Sequence, residues 1–247
     1  MSQAWNNEAA IAKWGKMPRD VLAALDPNGD FAKENLLNPV LMRLLGDVSG
    51  ARVLDAGCGQ GYFSRLLARR GAHVVGVEPA DSLFEYATES ERESPLGIRY
   101  VKEDLSELPD LGRFTAVVAS MVFVAIPEWR SAMRRCVESL EPGGVFVFSL
   151  THPCFEGLRS SWLEHGYLRV DEYLREYEIV GPSASDFHRP LSDYLNHAIA
   201  LGCHLVEICE PGLDPATAIH GPCGIDAYVR VPNFIVIAAR YASISSS

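Results

Sequence analysis

Three glycines on alternate positions, Gly57, Gly59 and Gly61, follow an acid, Asp55, in the stretch Val-Leu-Asp-Ala-Gly-Cys-Gly-Gln-Gly-Tyr-Phe at residues 53–63. Glycine lets the backbone pass close to a ligand where a Cβ would collide with it. The spacing is G-x-G-x-G and not the G-x-G-x-x-G of dinucleotide-binding turns, whose third glycine serves helix packing and pyrophosphate approach. Cys58 inside the turn and Tyr62 just behind it belong to the same surface. A glycine turn alone also serves purely structural needs, so the residues that follow must decide.

They favour a ligand. Val74-Val75-Gly76-Val77-Glu78-Pro79 reads as a short apolar strand ending in a carboxylate, 21 residues beyond Gly57. An acid at the tip of the second strand is placed to accept hydrogen bonds from ribose hydroxyls. A third strand, Ile98-Arg99-Tyr100-Val101, delivers Glu103, Asp104 and Leu105 to the same rim. A carboxylate there can accept from an adenine amino group, and Leu105 can pack on the ring. The set specifies an adenosyl group without phosphate.

These residues need a scaffold that brings strand ends to one edge. Apolar strand runs alternate with helical patterns from 51 to about 150, the signature of a parallel α/β sheet. The pattern predicts strands near 51–56, 73–78, 98–102, 114–120 and 144–150, with helices near 61–70, 81–91 and 128–140. Residues 1–50 predict a helical N-terminal lid over the cofactor rim, in which Leu41, Leu44 and Leu45 pack a helix down. The core spans 51–150. Residues 151–190, rich in aromatics without sustained period, predict an insertion that caps the substrate. Residues 191–247 complete the single domain with an amphipathic helix that Ser192 could cap, strands near 203–209 and 233–241, and a low-complexity serine tail.

Composition narrows the partners. At 247 residues and 48% hydrophobic content the chain can bury a full core, and its net charge of −10 argues against nucleic acid. Arg65, Arg69 and Arg70 read as a solvated helix face near a C-terminus. No run reaches the ~18 apolar residues of a membrane span, and the polar start is unlike a signal peptide. The six cysteines show no C-x-x-C pair and no metal spacing, so we expect no metal, buried thiols and a cytoplasmic location.

The acid–glycine turn, Glu78 and Asp104 occur in the order and spacing of class I S-adenosylmethionine-dependent methyltransferases, which the chain resembles over roughly residues 35–150. The nearest flavour is the small-molecule group (methyltransferase type 11, UbiE-like). Glu141-Pro142-Gly143-Gly144 resembles that group's turn into its fifth strand, and His188-Arg189-Pro190-Leu191-Ser192 and Val231-Pro232-Asn233-Phe234 are similar to elements of bacterial members. The resemblance implies a Rossmann-like, doubly wound, seven-stranded and mostly parallel sheet with an antiparallel last strand. It also implies S-adenosyl-L-methionine as cofactor, S-adenosylhomocysteine as product, and methyl transfer to an O, N or C nucleophile of a small molecule. Asp55, Gly57, Gly59 and Gly61 match the family's first motif. Glu78 matches its ribose acid, Asp104 with Leu105 its adenine site, and Ser120 and Met121 its methionine wall. Where the family often has an aspartate after the first aromatic of the fourth strand, this chain has Thr115. The rim Ala-Ser-Met-Val-Phe lacks the carboxylates of metal-dependent relatives.

The sulfonium methyl is already activated, so alignment is the main task, and a base is needed only for a protonated acceptor. His152, directly after the fifth strand, is the first candidate base and His188 the second. Both could instead make local hydrogen bonds. Alternative activities are a non-methyl-transfer reaction on the same cofactor, or a protein or RNA methyltransferase. An NAD-dependent oxidoreductase is disfavoured by the glycine spacing. The oligomeric state is not legible.

Overall fold

A computed structural model describes residues 5–181 and 184–242. The polar residues 1–4, the serine-rich tail 243–247, and residues 182–183 within the expected insertion lie outside the described residues.

The N-terminal segment forms helices α1 (Asn7–Trp14) and α2 (Arg19–Ala23), then a π-helical stretch Lys33–Leu37 that runs into α3 (Asn38–Leu45). Strand β1 (Arg52–Ala56) leads through the glycine turn to α4 (Tyr62–Ala68). Strand β2 (His73–Val77), α5 (Asp81–Glu93), β3 (Arg99–Val101), β4 (Phe114–Ser120), α6 (Trp129–Glu138) and β5 (Leu140–Thr151) follow. The insertion holds α7 (Leu158–His165) and a hairpin, β6 (Tyr177–Val180) with β7 (Ser185–His188). Helix α8 (Leu191–Ala200), β8 (Cys203–Cys209) and β9 (Phe234–Tyr241) end the fold.

Seven strands form one sheet in the order β3-β2-β1-β4-β5-β9-β8. Pairs β1–β2, β1–β4, β2–β3 and β4–β5 are parallel, while β9 runs antiparallel to both β5 and β8. The alternation of side chains along each strand sorts the core into two layers. Leu54, Val117, Phe146 and Ile237 face α6 and α8, whereas Val53, Val118, Val147 and Val236 face α3 and α4. That is the parallel α/β architecture the alternating pattern predicted, doubly wound as the resemblance implied.

Register places the site. Asp55 lies opposite Gly76 on β2 and Val118 on β4. The carboxyl ends of the three strands therefore share one edge, and Ala56-Gly57, Glu78 and Ser120 emerge beside one another, as ligand sites of open α/β sheets require.

Several local expectations need correction. Arg65 is buried rather than solvated: its guanidinium donates to the Gln60 carbonyl at 2.9 Å and pairs with Asp26. Ser192 does not cap α8. Pro190 stands at the cap, and the Leu191 amide donates to the Tyr173 hydroxyl at 3.1 Å. Cys223 is exposed, and Cys154 and Cys209 are half-buried. Thr115 leaves the strand entry intact, because the Phe114 amide bonds the Ser139 carbonyl at 2.9 Å.

Candidate active site

The glycine turn is tied to the end of β2. The Cys58 amide donates to the Val77 carbonyl at 2.9 Å, and the Gly59 amide to Glu78 Oε2 at 3.0 Å. Glu78 Oε1 accepts from the Ala80 amide at 2.9 Å. One carboxylate thus fixes both the turn and the start of the next loop, and each oxygen keeps further acceptor capacity.

The three glycines do different work. All adopt positive φ, at 68° for Gly57, 58° for Gly59 and 83° for Gly61. A Cβ on Gly57 would sit 2.6 Å from Val122 Cγ2, and one on Gly61 would run into the Tyr100 hydroxyl. Those two answer to packing. A Cβ on Gly59 would meet nothing within 4 Å. That open position borders a cavity of about 390 Å³ at the carboxyl edge of the sheet.

Asp55, Gly57, Cys58, Gly59, Tyr62, Glu78, Pro79, Asp104, Leu105, Ser120 and Met121 all line this cavity. Gly61 and Glu103 do not: Gly61 precedes α4 at its N-cap, and Glu103 is exposed to solvent. Burial pushes Asp55 up to about 6, although the Ser64 hydroxyl donates to it at 2.6 Å. Burial likewise pushes Glu78 up to about 7 against the downward pull of its two amide bonds. Cys58 is raised for the same reason, so its thiol is a packing group and not a nucleophile.

Residues outside the motifs complete the wall. Helix α1 contributes Asn7, Ala10, Ile11 and Trp14, and Met17, Val21, Leu25 and Lys33 continue the cover. The spacing 7, 10, 11 and 14 is one helical face, so a periodicity reading of α1 could have found it. After β4, Val122, Ala125 and Ile126 join Met121, whose φ of 63° is a strained value for a side-chain-bearing residue. The Met121 amide donates to Ser149, at 3.2 Å to its carbonyl and 3.1 Å to its hydroxyl. Three carboxylates and the single ammonium of Lys33, itself 2.7 Å from Asp30, give the lining an acidic character that suits a cationic ligand.

Neither candidate base faces this cavity. His152 is buried, with Nδ1 accepting from the Cys154 amide at 3.2 Å and Nε2 lying 2.7 Å from Glu210 Oε1. The Nδ1 bond fixes the proton on Nε2, and no lone pair remains for an acceptor. His188 has Nε2 on the Tyr173 carbonyl at 2.8 Å and Nδ1 on Glu156 Oε2 at 2.6 Å. Burial opposes its charge, but the bonds to Glu156 and Tyr173 leave its pKa above the ordinary value. Both ring nitrogens face acceptor oxygens of the protein, so neither offers a free lone pair to a substrate. Both expectations are corrected on the same ground, that their ring nitrogens are engaged by the protein. No residue of 151–190 lines the cavity, and among the described residues no group of His, Cys, Asp and Glu is arranged to hold a metal ion.

Comparison with known proteins assigns the fold. Residues 54–148 match a family model described as a methyltransferase domain. A crystal structure of an S-adenosylmethionine-dependent methyltransferase from Mesorhizobium loti superposes with a TM-score of 0.69 at 26% identity, covering 82% of this chain and 96% of that one. Residues 54–148 thus match a methyltransferase domain, and the chain shares the fold of S-adenosylmethionine-dependent methyltransferases. A ubiquinone biosynthesis O-methyltransferase from Coxiella burnetii is 30% identical to this protein over 150 residues, 59% of this chain. The chain spans 63% of that relative's length. A magnesium protoporphyrin IX methyltransferase from Synechocystis, solved with S-adenosylhomocysteine, shares the fold at a TM-score of 0.60 and 17% identity, covering 90% of this chain and 93% of that one. No helix among the described residues is long and apolar enough to cross a membrane.

Proposed function

We propose that the protein transfers the methyl group of S-adenosyl-L-methionine to a small molecule, releasing S-adenosylhomocysteine. The observation that carries this reading is the pair of carboxylates at two points of one cavity, Glu78 and Asp104, with the open Gly59 cradle after the neighbouring β1. Glu78 would accept from the ribose hydroxyls through the lone pairs its amide bonds leave free. Asp104 would accept from the adenine amino group, with Leu105 against the ring. Asp55, Gly57, Ser120 and Met121 would hold the methionine end, and the acidic lining favours its positive charges. Glu103, exposed and outside the lining, is left out of this set.

The cofactor supplies an activated methyl on a sulfonium. The protein's share is to bind, orient and exclude water. Holding a nucleophile in line with the sulfonium methyl can account for much of the acceleration, ~7–11 kcal/mol in well-oriented intramolecular cases. With both histidines engaged by Glu210 and Glu156, alignment rather than a histidine base carries the step. The relatives' activity favours an oxygen acceptor, the first of the O, N and C classes to test.

The acidic net charge supports a non-nucleic-acid acceptor, and the cysteines, none of them paired, support a cytoplasmic setting. Calorimetric titration with S-adenosylhomocysteine and with NAD tests the cofactor. Binding of the first alone is expected, and preference for NAD overturns the reading. Transfer of labelled methyl to a panel of phenols, amines and activated carbons then tests the reaction.

A further inference from the structure

Among the described lysines and arginines, Arg189 is the most deeply buried, at 1% exposure, and no carboxylate lies within hydrogen-bond distance of it. Its Nη1 donates to the Phe123 carbonyl at 2.9 Å and to the Tyr194 hydroxyl at 3.3 Å. Its Nη2 donates to the Ile126 and Pro127 carbonyls at 3.1 and 3.3 Å. Nε has no hydrogen-bond partner among the described residues, and the nearest carboxylate, Glu176, stands 3.9 Å away. The guanidinium also lies 5.3 Å above the Phe187 ring and 5.7 Å above that of Trp129. Burying a charge whose nearest counter-ion stands 3.9 Å away is costly, and the carbonyls it holds offset part of that cost.

What it holds is the loop after β4. The Phe187 amide takes the Val124 carbonyl at 2.7 Å, so residues 187 and 189 together occupy the carbonyls of 123, 124, 126 and 127. The same loop presents Met121, Val122, Ala125 and Ile126 to the cofactor cavity. Its far end is held from the other side, where the Glu128 amide donates to Asn7 Oδ1 at 2.9 Å. The loop makes few backbone bonds of its own, among them Ala125 to Val122 at 2.9 Å, and Met121 begins it in a strained conformation. Its shape is therefore imposed from outside.

We propose that Arg189 is a positioning residue for cofactor binding. The planar fork spans carbonyls at 123 and at 126–127, which one lysine ammonium cannot do, and so sets the curvature of the wall against the adenosyl group. The consequence is coupling: the insertion after β5, through β7, determines the fit of a ligand it does not touch. The inference rests on the cofactor assignment above, and its test separates the two.

Variants R189K and R189M are compared with wild type and with V74A, a buried core change near the amino end of β2 and outside the cavity lining. Affinity for S-adenosylhomocysteine is measured by calorimetry, and local opening of residues 121–128 by hydrogen exchange. Wild type failing to bind overturns the cofactor assignment and with it this inference. Given wild-type binding, R189K is expected to weaken affinity at least fivefold. Its 121–128 amides should exchange faster, while β1 and β5 stay protected and V74A leaves both readouts near wild type. R189M serves as the stronger lesion where it folds. Unchanged affinity in R189K, or a loss no larger than in V74A at equal thermal stability, overturns the positioning role.

Discussion

Asn7 and Asp104 lie 97 positions apart in sequence, yet the Asn7 amide nitrogen donates to both oxygens of the Asp104 carboxylate, at 3.1 and 2.9 Å. Asp104 Oδ1 also accepts from the Ser106 amide at 2.8 Å, so a carboxylate with about four acceptor positions keeps one open. Asn7 therefore orients the carboxylate proposed to meet the adenine edge and anchors α1 to it. Asn7→Ala is expected to weaken S-adenosylhomocysteine binding about threefold to tenfold, since hydrogen bonds to charged groups are worth ~1.5–3 kcal/mol and part is recovered by water. Calorimetry checks this. Tighter binding would show instead that Asn7 competes with the ligand.

Glu78 makes a pH prediction with a definite sign. Its folded pKa, about 7, lies above the ordinary value of 4.5. The stability this group lends the free protein is complete below pH 4.5 and is lost as pH rises through about 7. Ligand hydroxyls donate to the ionised form, so cofactor affinity should run the other way. It should rise with pH to a plateau above about 7, weakening about tenfold from pH 8 to pH 6. Glu78→Gln should bind more weakly and flatten that slope. A wild-type affinity independent of pH over this range would remove Glu78 from the ribose site.

The histidines predict a stability effect without a chemical one. His152→Gln should leave kcat within about threefold, because neither ring nitrogen is free to accept a proton. Losing the buried bonds should cost about 1–2 kcal/mol, or a few degrees of Tm in a chain of this size. A hundredfold fall in kcat with unchanged cofactor affinity would restore a catalytic role.

Gly57 and Gly59 should separate folding from binding. Gly57→Ala forces a methyl into Val122 and is expected to reduce the folded yield. Gly59→Ala meets open space, so only its positive φ opposes it, at about 1–3 kcal/mol. It should fold and lose S-adenosylhomocysteine affinity at least tenfold. Wild-type affinity in that variant would mean the ligand does not approach the turn there.

The parts legible in the sequence were those set by local chemistry. Glycine spacing, the Glu78 strand tip and apolar periodicity are short-range signals, and they located β1, β2 and the cofactor edge. The histidines misled because their positions were readable and their partners were not: Glu210 lies 58 residues from His152, and Glu156 lies 32 from His188. Arg65 misled for the same reason, since nothing near it announces Asp26, 39 residues away. The local patterns at Asn7 and Arg189 did not announce their partners, for each meets a loop more than 60 residues distant.

The loop at 121–128 has one further consequence. Its two anchors, Asn7 and Arg189, both lie outside the stretch 54–148 that defines the shared domain. On the role proposed for Arg189, a chimera that exchanges the insertion would also exchange the clamp on the cavity wall. Changes at residues 151–190 are then expected to alter cofactor affinity, although none of those residues lines the cavity. Any graft at residues 151–190 should carry Arg189 and its receiving carbonyls with it.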